Sequence, residues 1–88
     1  MPRILIVDDE AHQCTVLGIS FKRRGFDVET MTDWQAAMKR VASPDPALDI
    51  VLTDLRMQDG DEGLKVLEAA KEADPNLPVI ISTAYATA

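Results

Sequence analysis

Short aliphatic runs, each broken off by acids or hydroxyls, alternate along this chain with stretches of helical period. Ile4-Leu5-Ile6-Val7 stops at Asp8-Asp9-Glu10, Ile50-Val51-Leu52 at Thr53-Asp54, and Val79-Ile80-Ile81 at Ser82-Thr83. Uninterrupted runs of this length, rich in β-branched residues, fit strands covered on both faces, as in a parallel sheet between helices. Strands separated by helices return through right-handed crossovers, so the sheet should be parallel. With 88 residues, the chain is bounded to one small domain.

The intervening segments support that order. From Ala11 to Arg24, Cys14, Leu17, Gly18 and Phe21 fall on one helical face. Lys22, Arg23 and Arg24 suit the negative end of its dipole, and Gly25 supplies the stop. Phe26 to Thr30 alternates apolar and polar, the pattern of a half-exposed edge strand. Thr32 with Gln35 matches a capping box for a second helix, which carries Trp34, Ala37, Met38 and Val41 at packing positions. Ser43-Pro44-Asp45-Pro46 is a loop. Leu48 to Thr53 reads as a buried strand ending at Asp54, and Gln58 to Gly63 as a solvated acidic loop. Leu64, Leu67 and Ala70 or Lys71 mark the face of a third helix, closed by Asp74-Pro75. Leu77 to Thr83 reads as a further buried strand, giving β-α-β-α-β-α-β.

Composition removes several function classes. Fifteen acids against nine bases give a net charge of -6, which does not suit phosphate neutralisation on nucleic acid. No apolar run approaches the roughly 18 residues of a membrane span. The single cysteine, Cys14, allows no internal disulfide; it reads as a buried inert thiol in a reducing compartment. Met1-Pro2-Arg3 leads straight into a strand rather than a signal peptide, so a cytoplasmic protein is expected. His12, the single histidine, reads as a surface residue at the start of the first helix.

In open parallel sheets, ligands bind beyond the carboxyl ends of the strands, near the switch in strand order. If the first and third strands are neighbours, Asp8, Asp9 and Asp54 converge there. Two carboxylates about 5 Å apart repel by roughly 3 kcal/mol at an effective dielectric of about 20. Such a cluster must hold protons or bind a cation. Oxygen ligands with room for water favour Mg²⁺. A carboxylate beside a cation can attack phosphorus, and phosphoryl transfer needs little beyond positioning and charge stabilisation. Asp54, the Asp8/Asp9 pair and Thr83 supply an acceptor, a metal site and a hydroxyl donor. An acid at one strand end would equally cap the next helix; the coincidence at three strand ends carries the weight.

Ile4-Leu5-Ile6-Val7-Asp8-Asp9-Glu10, Leu52-Thr53-Asp54-Leu55-Arg56-Met57 and Ile81-Ser82-Thr83-Ala84-Tyr85 resemble the signature blocks of response-regulator receivers. Asp54-Leu55-Arg56-Met57 and Thr83-Ala84-Tyr85-Ala86-Thr87 look most like receivers of nitrogen-regulation-type transcriptional activators. The resemblance implies an α/β, flavodoxin-like, doubly wound parallel sheet of order 2-1-3-4-5. It implies that Asp54 takes a phosphoryl group from a sensor histidine kinase. It also implies that Asp8, Asp9 and Asp54, with the backbone carbonyl of Arg56, hold Mg²⁺, Asp9 being the direct carboxylate ligand. Thr83 would turn its hydroxyl onto the phosphoryl group and so switch an output domain, in that subfamily a transcription-activating ATPase with a DNA-binding module.

The sequence departs from the family twice. Gln58 stands where the family has proline, in a loop one residue longer. The family's fifth strand, with its phosphate-binding lysine, and the last helix have no counterpart before Ala88; Lys22, Lys39, Lys65 and Lys71 all fall on helices. Residues 1–88 are therefore expected to form a C-terminally incomplete receiver, homodimeric through the exposed fourth strand or the helix after it. Two rival functions remain at this point. One is an interaction module independent of phosphorylation. The other is a phosphatase with an Asp nucleophile, for which haloacid-dehalogenase-type enzymes place a second Asp two residues on. Here Glu10 follows Asp8 and Arg56 follows Asp54 at that offset, so no enzyme is expected.

Overall fold

β1 (Arg3–Val7) runs through the interior of the sheet, because four of its five residues are apolar with no polar alternation. In the computed structural model, which describes residues 1–57 and 60–82, Ile4, Leu5, Ile6 and Val7 are all buried. β2 (Asp27–Met31) and β3 (Ile50–Asp54) flank β1, and β4 (Val79–Ser82) pairs with β3. All three pairings are parallel, in the order β2-β1-β3-β4. The doubly wound α/β, flavodoxin-like class expected from the sequence is the one observed.

Among the described residues, three helices cover the sheet. α1 (Ala11–Arg23) lies on one face, where Cys14, Leu17 and Phe21 pack with Ile4, Ile6, Val28, Ile50 and Leu52. α2 (Trp34–Ala42) and α3 (Glu62–Ala73) cover the other, with Ala37, Val41, Val66 and Ala70 against Leu5, Val7 and Val51. Alternate side chains of one strand thus reach opposite cores, as the pleat requires. Gly25 ends α1 at a φ of 93°, and its N–H donates to the Lys22 carbonyl at 3.0 Å. Phe21 and Phe26 meet edge to face across that turn, ring centroids 5.3 Å apart. Trp34 is half-buried on α2 with the Lys65 ammonium 5.0 Å from its ring centroid, a packing role as expected.

Four expectations need correction. The cap of α2 is Asp33, not Thr32: the Asp33 carboxylate accepts the Gln35 N–H at 3.1 Å. α3 begins at Glu62, so the loop before it is shorter than expected, and Glu62 is buried rather than solvated, accepting the Gly60 N–H at 3.2 Å. The inward face of α3 is Gly63, Val66 and Ala70, whereas Leu64 is exposed. Small residues there let the helix lie close to the sheet. β4 is an edge strand among the described residues, in line with the exposed fourth strand expected, but its burial alternates and Ile80 is half-exposed, so the buried-strand reading of Leu77 to Thr83 does not hold.

Candidate functional site

β1 and β3 are in register from Ile4 opposite Ile50 to Val7 opposite Thr53. The residues just beyond are Asp8 and Asp54, so strand pairing alone sets these two acids side by side. Asp9 follows on the turn into α1. One carboxylate oxygen from each of Asp8, Asp9 and Asp54 lies within 4.8 Å of the others. The structure thus brings together the three acids singled out in the sequence.

The turn at the end of β1 is held tightly. The Asp8 N–H donates to the Met31 carbonyl at 3.1 Å, and Asp8 Oδ1 accepts the Glu10 N–H at 2.9 Å. Behind it, the buried thiol of Cys14 reaches the Asp8 carbonyl at 3.4 Å. Burial pushes that thiol up in pKa, as does the nearby Asp8 charge, which keeps it an inert packing group. His12 is exposed on the first turn of α1, as expected.

Both half-buried acids are harder to ionise than usual. Burial raises the pKa of Asp8 most, and the charges of Asp54, Asp9 and Glu10 add to it against the Glu10 N–H. Asp54 is raised first by burial and then by Asp9 and Glu10, while the backbone N–H groups of Leu55 and Arg56 oppose this. The cluster therefore concentrates negative charge at a rim open to water. A hard cation with oxygen ligands fits that donor set better than soft metals do.

Beyond Asp54 the chain is fastened on two sides. The Leu55 N–H donates to the Ser82 carbonyl at the end of β4, at 2.9 Å. The Leu55 carbonyl accepts the Gly63 N–H at the start of α3, at 3.0 Å. Arg56 is exposed on this loop, its Nε 3.6 Å from Asp61 Oδ1. Thr83 and Gln58 lie outside the described residues. Gly63 and Ser82 escaped sequence reasoning: one acts by having no side chain and the other through its backbone carbonyl. The readable signal for the first was a glycine at an inward helical position.

A profile of the family described as "Response regulator receiver domain" matches residues 4–88. The chain belongs to that family. The receiver is 38% identical over 84 residues to the regulatory protein AtoC of Escherichia coli, covering 96% of this chain and 18% of that protein. It is 34% identical over 84 residues to the DNA-binding transcriptional regulator NtrC of Rhizobium meliloti, covering 96% of this chain and 17% of that protein. The receiver thus spans under a fifth of the length of these relatives. Among solved structures it is similar to the response regulator TrrA of Thermotoga maritima in complex with Mg²⁺ and BeF, at 28% identity and a TM-score of 0.86 over 98% of this chain and 72% of that one. TrrA has also been solved in complex with the histidine kinase ThkA, with a TM-score of 0.83 to this receiver, 26% identity, and coverage of 99% of this chain and 72% of that one.

Proposed function

We propose that this receiver accepts a phosphoryl group on Asp54 from a sensor histidine kinase, with Mg²⁺ held by Asp8, Asp9 and Asp54 and by the Arg56 carbonyl. The observation that carries the reading is the convergence of three carboxylates at the ends of β1 and β3. A bound Mg²⁺ would supply charge neutralisation for the phosphoryl oxygens. The Asp54 carboxylate attacks as the ionised form. Its oxygen forms the new bond to phosphorus while the bond from phosphorus to the donor nitrogen breaks. The Arg56 N–H, which already favours the charged carboxylate, helps hold it for that step, while the Leu55 N–H anchors the backbone to the Ser82 carbonyl. Thr83, next after the residue paired with Asp54, would bring its hydroxyl to the phosphoryl group. The complex of TrrA with ThkA supports a kinase as donor.

Several further roles follow from this reading. Residues 1–88 form one receiver unit that works through an output domain. The relatives AtoC and NtrC favour transcription activation as the output. The receiver itself turns over no external substrate and does not bind nucleic acid. It acts in the cytoplasm; among the described residues no helix is long and apolar enough to cross a membrane. The β4 edge, with exposed Ile80, favours pairing with a second copy through that strand or the helix after it. Incubation with a small acyl phosphate and Mg²⁺ tests the central claim. A stoichiometric label released by hydroxylamine is expected on Asp54, and equal labelling of Asp54→Asn would refute it.

A further inference from the structure

We infer that Gly63 is a positioning residue for Asp54, acting through the main chain beneath the carboxylate. The inference rests on the reading of Asp54 as acceptor and adds the device that fixes where it stands. The other three glycines have ordinary explanations. Gly25 adopts a positive φ, Gly18 faces only the Val28 and Thr30 side chains at 3.6 and 3.7 Å, and Gly60 faces a side-chain oxygen of Glu62, not backbone, at 3.3 Å. Gly63 is different. A Cβ there would overlap the Asp54 carbonyl oxygen, and would lie 2.8 Å from Leu55 Cα and 3.0 Å from the Asp54 carbonyl carbon.

All three of those atoms are backbone, so no side-chain rotation can make room. Glycine weakens a helix, and Gly63 has no positive φ to justify it, so close approach is the reason left. The peptide it presses on is the one joining Asp54 to Leu55. That peptide is held at both its carbonyl and its N–H, and the next peptide at its carbonyl. Thr53 Oγ1 donates to the Asp54 carbonyl at 3.1 Å, the Gly63 N–H to the Leu55 carbonyl at 3.0 Å, and the Leu55 N–H to the Ser82 carbonyl at 2.9 Å. A side chain at position 63 must lift α3 or displace the acceptor's backbone. A displacement of about 1 Å in a reacting group can cost on the order of 100-fold in rate.

The test compares Gly63→Ala with Gly18→Ala and Val41→Ala, a buried site on α2, using acetyl phosphate at saturating Mg²⁺. Gly63→Ala should lower the maximal labelling rate by about 10- to 100-fold. The donor concentration at half-maximal rate should stay within about twofold, as expected when geometry rather than binding changes. Gly18→Ala and Val41→Ala should label within about twofold of the parent while folded. Amide resonances of Leu55 and Arg56 should move in Gly63→Ala and stay in Gly18→Ala. If Gly63→Ala does not fold, Thr53→Val carries the test, since it frees the same carbonyl without adding bulk, and several-fold slower labelling is expected. If the parent takes no label on Asp54, the acceptor reading fails and the amide shifts alone decide the positioning role. Parent-like labelling of Gly63→Ala, unmoved Leu55 and Arg56 amides, parent-like labelling of Thr53→Val where it carries the test, or an equal loss of rate in Val41→Ala would each overturn the inference.

Discussion

Arg40 on α2 grips Glu29 on the edge strand β2 through two hydrogen bonds, Nε to Oε1 at 2.6 Å and Nη2 to Oε2 at 2.9 Å. Arg3 joins from β1 at 3.2 Å, and Arg40 also reaches the Pro46 carbonyl at 2.7 Å. Both side chains of the main pair are mostly shielded, 11% and 24% exposed, so this is more than a surface ion pair. Arg40→Ala should destabilise the protein by about 1.5–3 kcal/mol in chemical denaturation. The Arg40 hydrogen bonds, opposed by burial, hold the Glu29 carboxyl below its usual range. Its contribution is therefore present above the ordinary glutamate pKa and lost as pH falls through the lowered value. Glu29→Gln should flatten that acid limb of the stability profile, and an unchanged limb would assign it elsewhere.

Asp54 carries the opposite sign. Its pKa is raised in the folded state, so the native protein holds the proton more tightly than the unfolded chain. Stability should fall as pH rises from the unfolded value through the raised one, and the cost is fully present at neutral pH. Asp54→Asn should therefore stabilise the metal-free protein at pH 7 by about 1 kcal/mol, about 4–8 °C in Tm for a domain of this size. A lower Tm in Asp54→Asn than in the parent would contradict the electrostatic account.

Mg²⁺ should reverse that cost. Binding to the folded state alone raises stability by about 2.7 kcal/mol at a concentration 100 times Kd. Asp9→Ala should weaken the effect most among single substitutions, and Asp8→Ala with Asp9→Ala should abolish it. Calorimetric titration of the double variant with undiminished affinity would move the site away from this cluster.

The β4 edge makes a prediction of another kind. Ile80 pairs with Leu52 in the register and is 50% exposed on the thinly covered α1 side of the sheet. An apolar edge of this kind invites another chain unless charge protects it. If two receivers pair through this strand as proposed, Ile80→Lys should raise the dissociation constant of that pair at least tenfold by sedimentation, equivalent to about 1.4 kcal/mol. A parent protein that is monomeric at every micromolar concentration would remove the basis for this pairing.

Much of this architecture was legible because β1, β3 and their acids are coded by side-chain type alone. Four consecutive apolar residues allow little but a covered strand, and the Asp residues ending two such strands fall together once the strands pair. The face of α3 was harder. Leu64 and Leu67 look like core residues, but a helix pressed onto the Asp54–Leu55 peptide presents glycine, valine and alanine inward. Glu62 is similar: its type suggests solvent, whereas the Gly60 N–H makes its burial tolerable. The cap of α2 shifted by one residue because Thr32 and Asp33 are both good caps, and only backbone geometry chooses between them.

The pairing of β1 with β3 has a consequence for how the chain reaches its native state. Asp8 and Asp54 are far apart in sequence and meet only when a long loop closes, which is a slow class of contact to form. Like charges gather at that same closure, so the cohesion of the sheet's centre must overcome their repulsion while the molecule folds. The native domain is in this sense a loaded spring. The work of crowding three acids together is done before any cation arrives, and little reorganisation remains when it does.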